Sequence, residues 1–159
     1  MTKNKEKTNV MRILDQKGIE YKSYCYADTN AISGLDVASV LNENPNQVFK
    51  TLVTIGNSKN YYVFLVPVNK ELNLKKAATS VGEKSIEMLK SKDLLPLTGY
   101  IHGGCSPISM KKTFKTVIDK SANNFSSIIF SGGKIGYQVE VNLEDLKKII
   151  SFTLADITD

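Results

Sequence analysis

Two apolar runs separated by a turn, residues 48–56 (VFKTLVTIG) and 61–68 (YYVFLVPV), constrain this chain more than any other feature. Both are rich in β-branched and aromatic residues, and Asn57-Ser58-Lys59-Asn60 supplies the turn between them. An antiparallel hairpin over residues 47–68 follows. Its second run is apolar on both faces, which places it at the centre of a sheet. Side chains alternate along a strand, so Val48, Lys50, Leu52 and Thr54 share one face while Phe49, Thr51, Val53 and Ile55 share the other. Lys50 therefore sits on an apolar face. An ammonium there either reaches water along its own stem or projects into a polar cavity where its charge is used.

The flanking sequence supplies helices and further strands. Val10, Ile13 and Leu14 recur at helical spacing, with Thr8 or Asn9 as N-cap and Gly18 as the stop, which predicts a helix over residues 9–17. Residues 19–26 alternate as a strand, with Ile19, Tyr21, Ser23 and Cys25 on one face and Tyr24 and Tyr26 on the other. Cys25 then reads as a small buried residue, and either tyrosine can wall a pocket. Leu35, Val37, Ala38 and Leu41 form a short helix stopped by Asn44-Pro45. Leu72 to Ala78 suggest a helix ending near Gly82, and the leucines from 89 to 97 suggest short elements broken at Pro96 and Gly99. Residues 113–119, 125–130 and 136–141 read as strands, the last two joined by Ser131-Gly132-Gly133-Lys134. Asn142 caps a final helix carrying Leu143, Leu146, Ile149 and Ile150. Strands joined mostly by hairpins, with helices between and at the ends, indicate an α+β (mixed α/β) domain.

The chain has 159 residues, 42% of them hydrophobic, enough for one compact domain but not two. The polar segment 1–7 is expected to be a flexible tail, with the domain over 8–159. Lys and Arg number 21 against 16 Asp and Glu, a net +5 that suits a polyanionic ligand without requiring one. Cys25 and Cys105 are far apart and outside any metal-ligand spacing, so no zinc site or disulfide framework is indicated. No run approaches the length of a signal peptide or a membrane span, and a cytoplasmic protein with free thiols is expected.

The most unusual local composition is Gly99-Tyr100-Ile101-His102-Gly103-Gly104-Cys105-Ser106-Pro107, followed by Lys111, Lys112 and Lys115. Glycines let main-chain amides approach an anion or oxyanion, and the lysines add positive charge; a tight turn beside a solvated basic face has the same composition. His102, the lone histidine, has no spaced partner that would make it a base, and Cys105 has none that would make it a nucleophile. Ser131 in its glycine turn reads locally as a hairpin residue.

Taken in order, Phe49-Lys50-Thr51-Leu52-Val53, Leu74-Lys75-Lys76-Ala77-Ala78, the Gly103-Gly104-Cys105-Ser106-Pro107 loop and Ser131-Gly132-Gly133-Lys134 with Gly136 resemble the successive signatures of the YbaK/EbsC family. Its members are free-standing aminoacyl-tRNA deacylases related to the editing insertion of bacterial prolyl-tRNA synthetases. The resemblance runs from about residue 8 to the C-terminus. It implies a largely antiparallel, curved mixed sheet flanked by helices, and release of cysteine from Cys-tRNA(Pro), extending to Cys-tRNA(Cys). It also implies Lys50 as the residue on which activity depends, and Tyr26, Thr51, Gly103, Gly104, Ser106 and Ser131 as substrate-binding positions. The family's mechanism is substrate-assisted: the cysteine thiol attacks its own ester carbonyl and leaves as a thiolactone, with no metal and no cofactor. The implied partners are the acceptor end of aminoacyl-tRNA and prolyl-tRNA synthetase.

Two positions depart from the family pattern. Cys105 stands where relatives commonly have an aliphatic residue, and Gln138 where they have a small polar or acidic one. Both bear on the amino-acid pocket, so an editing domain for alanine or another small amino acid, and an inactive tRNA-binding module of the same fold, are the alternative expectations.

Overall fold

The computed structural model describes residues 7–159. Of the tail expected at 1–7, residues 1–6 lie outside the described residues, and the ammonium of Lys7 pairs with Asp15. In chain order the elements are α1 (Asn9–Gln16), β1 (Tyr21–Cys25), α2 (Gly34–Val40), β2 (Phe49–Gly56), β3 (Tyr61–Pro67), α3 (Leu74–Val81), β4 (Ile86–Met88), α4 (Ser91–Thr98), β5 (Lys115–Asp119), β6 (Ser127–Ser131), β7 (Tyr137–Asn142), α5 (Leu143–Leu146) and β8 (Thr153–Ala155).

The hairpin forms the heart of a five-stranded sheet ordered β4-β2-β3-β5-β8, with Phe49 opposite Pro67 and Ile55 opposite Tyr61. β5 and β8 extend it in parallel, so the sheet is mixed. On one face Val63 and Leu65 join Phe49 and Val53 in a core closed by Val10 and Leu14 of α1. On the other, Phe64 and Val66 pack against Ala77 and Ala78 of α3. Being covered on both sides is why β3 is apolar at every position. A second, antiparallel sheet is ordered β1-β7-β6.

The two sheets meet at one edge of β2. Val48 bridges Ile129 of β6 in parallel, and the Ile129 N–H donates to the Gln47 carbonyl at 3.0 Å. Farther along the same edge, the Leu89 N–H reaches the Val53 carbonyl at 3.0 Å and β4 pairs from Thr54 onward. Among the described residues this edge of β2 has no strand partner between the Val48 bridge to the second sheet and the start of β4, and Lys50, Thr51 and Leu52 occupy the gap.

Three local expectations are corrected, and one strand was not expected. Cys25 is exposed, because β1 is an edge strand paired only with β7. α4 runs through Pro96 and ends at Gly99, whose φ is +87°. In this eight-residue helix the proline forfeits one hydrogen bond, to the carbonyl of exposed Lys92, which water can satisfy. The last helix is only Leu143–Leu146, after which turns carry Ile149 and Ile150 to the core surface. β8 was not evident in the sequence, since three residues are too few to show alternation. Asp119, a buried carboxylate, accepts from the Ser121 and Ile157 N–H groups at 3.2 and 3.1 Å, so it ties the C-terminal segment to β5.

Candidate active site

A cavity of about 340 Å³ opens in the gap between the sheets, within the size range of small-ligand sites. Tyr26, Lys50, Thr51, Gly103 and Ser131 line it together with Cys105 and Gln138. Residues some eighty positions apart in sequence therefore face one space. Gly104 and Ser106 are not on its wall. Gly104 is packed behind the loop, where a Cβ would lie 3.2 Å from the Ile135 main-chain nitrogen. Ser106 is fully buried and its Oγ accepts from the Ile108 N–H at 3.4 Å, so both shape the loop from behind.

Lys50 does both things open to it. Its side chain is 29% exposed and lines the cavity, and its Nζ lies 3.6 Å from Oε2 of Glu71, a carboxylate 80% exposed. A pair this open to water is weak and yields readily to a competing anion. Thr51 contributes a buried Oγ1 with no protein hydrogen-bond partner. Its main chain is also directed toward the gap. Carbonyl direction alternates along β2, Gln47 and Val53 pointing away from β3 and Val48 toward it, so Thr51 shares the outward direction of Gln47 and Val53.

The glycine loop is held at both ends. Thr98 Oγ1 accepts from the Tyr100 N–H at 3.0 Å, and the Tyr100 hydroxyl donates to the Ile108 carbonyl at 2.5 Å. Gly103 has φ +90°, a conformation that favours glycine. The expectation that the glycine amides can approach an oxyanion is corrected at Gly104, whose N–H is engaged with the Ile101 carbonyl at 3.0 Å, closing a turn. Ser131 Oγ accepts from the Gly133 N–H at 3.1 Å, which makes it a turn-former as well as a wall residue. Tyr26 is fixed through its N–H to the Gly136 carbonyl at 2.7 Å, whereas Tyr24 turns away to donate to Glu140 at 2.7 Å.

Burial pushes the Cys105 thiol up to about 12, so it stays protonated at neutral pH and is no nucleophile. A disulfide exchange reagent at pH 8 is accordingly expected to modify one thiol per native chain rapidly, exposed Cys25, and a second only on unfolding. Two equally fast thiols would contradict the buried placement of Cys105.

Exposed His102, weighed in the sequence only as a base, stands on the lining. Sequence reasoning missed four contributors. Ile32, 89% exposed, and Met88, 45% exposed, stand on the lining too. Glu71 lies across from Lys50, and Glu43 lies behind Gln138. None carries a local signal, since each acts only by where the tertiary fold puts it.

Gln138, on β7, faces Glu43, and its amide nitrogen is assigned to that side, 2.7 and 3.1 Å from the two carboxylate oxygens, because an amide oxygen there would oppose an acceptor with an acceptor. Burial raises the Glu43 carboxyl to about 7 against the opposing hydrogen bond from Gln138, with a lesser upward contribution from the negative charge of Glu140. Burial also works against charge on Glu140, but the hydroxyls of Ser127 and Tyr24 outweigh it and hold that carboxyl below its usual range.

The sequence model of the aminoacyl-tRNA editing domain matches residues 30–149. The chain belongs to the aminoacyl-tRNA editing domain family. The editing domain is 44% identical over 157 residues to EbsC of Enterococcus faecalis, named as a Cys-tRNA(Pro)/Cys-tRNA(Cys) deacylase; the match covers 98% of this chain and 96% of that one. It is also 30% identical over 110 residues to a proline–tRNA ligase of Thermosipho melanesiensis, covering 69% of this chain but only 19% of the ligase. Among solved structures, one described as a trans-editing enzyme for prolyl-tRNA synthetase superposes with a TM-score of 0.79 at 21% identity, over 94% of this chain and 96% of that chain, which establishes the shared fold. Among the described residues, no helix is long and apolar enough to cross a membrane.

Proposed function

We propose that this editing domain is a cytoplasmic trans-editing deacylase that releases cysteine from Cys-tRNA(Pro), and from Cys-tRNA(Cys). The observation that carries the reading is the meeting of Lys50, Thr51 and the Gly103 loop around one small cavity, in a chain 44% identical to a deacylase-named relative across nearly its whole length. An aminoacyl ester is already activated, so positioning and charge stabilisation suffice to cleave it. In the substrate-assisted route the substrate thiol forms a carbon–sulfur bond at the ester carbonyl and the carbon–oxygen bond to the ribose breaks. The thiol proton ends on the departing ribose oxygen, and a thiolactone is released. Lys50 meets the negative charge that develops on the carbonyl oxygen or on the terminal phosphate, and Thr51 forms part of the wall against which the ester is placed. Protonated Cys105 stands aside from acyl transfer and sets the size of the pocket. The net charge of +5 favours approach of an acceptor stem, and prolyl-tRNA synthetase is the proposed partner because its own chain carries a related segment.

The test is a panel of aminoacyl-tRNAs, with Cys-tRNA(Pro), Cys-tRNA(Cys) and Ala-tRNA(Pro) incubated with and without the protein. Cysteine is expected to leave its proline tRNA faster with protein present, with thiolactone as the first product. Spontaneous rates on every member of the panel would overturn the reading.

A further inference from the structure

Behind the cavity wall lies a group of polar side chains that the proposed reaction does not use. Glu43 is placed there by the end of α2. Asn42 adopts φ +57°, and the Glu43 N–H donates to the Ala38 carbonyl at 2.8 Å, a helix-terminating arrangement that fixes the main chain. Its carboxylate faces β7, where Gln138 lines the cavity and its amide nitrogen lies within hydrogen-bond reach of both carboxylate oxygens. The acidic neighbour on the same strand, Glu140, is already saturated: Tyr24 donates to it at 2.7 Å, Ser127 donates to it, and Gln47 Nε2 approaches at 3.5 Å. From β1, Tyr24 also faces Glu43, and Lys22 faces Glu140. The charge of Glu140 is thus hydrogen-bonded, and the Glu43 carboxylate faces the amide of Gln138.

We propose that Glu43 is a positioning residue that sets the polarity of the amino-acid pocket through Gln138. A side-chain amide is two-faced, a donor at nitrogen and an acceptor at oxygen. With the nitrogen committed to the Glu43 carboxylate, the end left on the far side is the carbonyl oxygen. An acceptor in the pocket suits the ammonium of an aminoacyl group. When Glu43 takes up a proton, its hydroxyl becomes a donor that the amide oxygen can accept, and the amide is then free to turn its nitrogen to the pocket. The pocket loses its acceptor. The sign follows: the acceptor form is present above the Glu43 midpoint and fades as pH falls through about 7.

This inference rests on the deacylase reading for its kinetic arm only. The first arm uses the free protein: the side-chain NH₂ resonances of Gln138, assigned by comparison with Gln138→Leu, are followed by NMR from pH 5.5 to 8.5. They are expected to shift with a midpoint near 7 in the wild type and not in Glu43→Gln. Resonances that stay fixed in the wild type overturn the proposal, whatever the protein does to tRNA. The second arm measures kcat/KM on Cys-tRNA(Pro) across the same range. The substrate ammonium titrates identically for both proteins, so the difference isolates Glu43: the wild type is expected to fall about fivefold to tenfold more than Glu43→Gln between pH 8 and pH 6. Superimposable profiles would overturn the recognition role even if the resonances titrate. Glu43→Asp, which keeps a carboxyl on a shorter stem, is expected to restore a pH-dependent profile; a flat one counts against the proposal.

Discussion

Lys50→Ala is expected to slow release of cysteine from Cys-tRNA(Pro) by about a hundredfold or more while leaving the fold intact. Preorganised charge at a developing oxyanion is worth on the order of 10²–10³ in rate, and a cation at a terminal phosphate contributes to binding as well. The stability cost is small because, among the described residues, the ion pair lost is the 3.6 Å contact to Glu71, itself 80% exposed, worth about 1 kcal/mol at most. Lys50→Arg is expected to recover little, since a planar fork does not occupy the place of a compact ammonium on the cavity wall. Single-turnover deacylation alongside a thermal melt checks both halves. A variant that melts as the wild type does and deacylates at the wild-type rate removes Lys50 from the chemistry.

The placement of Lys50 shows what the sequence could and could not convey. Alternation along residues 48–56 identified the strand, its faces and the anomaly of an ammonium among apolar neighbours, because strand periodicity is a local property. The hairpin to β3 was legible for the same reason, and the helix beginning at Asn9 was announced by Thr8, which caps it by accepting from Met11. The gap itself was not legible. It exists because β6 stops at Val48 and β4 begins at Thr54 along one edge of β2, and no residue in β2 encodes where its neighbours end. Cys25 was misjudged by the same limit: alternation assigns a face, but only the order of strands decides whether that face is covered. Glu43 and Glu71 were invisible as site residues, since ordinary surface glutamates and these two look alike until the fold sets one against Gln138 and the other against Lys50.

If the cavity is a consequence of where the neighbours of β2 end, damage to the core should affect chemistry only on the side that holds the gap open. Phe130 and Phe64 are both fully buried, one on β6 in the core that walls the cavity and one on β3 against α3. Each truncation to alanine removes a whole ring, for a cost of about 3–5 kcal/mol. At roughly 2–4 °C per kcal/mol for a chain of this size, both variants are expected to melt about 6–20 °C below the wild type. They should part on activity measured well below their midpoints. Phe130 lines the cavity next to Ser131, so its loss enlarges the pocket and frees the wall that positions the ester, and a fall of about tenfold or more in single-turnover rate is expected. Phe64 lies outside the lining, so the folded fraction of Phe64→Ala should turn over within about twofold of the wild type. Equal activity losses in the two variants would mean that deacylation tracks global stability, and the gap between the sheets would then have no special claim to the site.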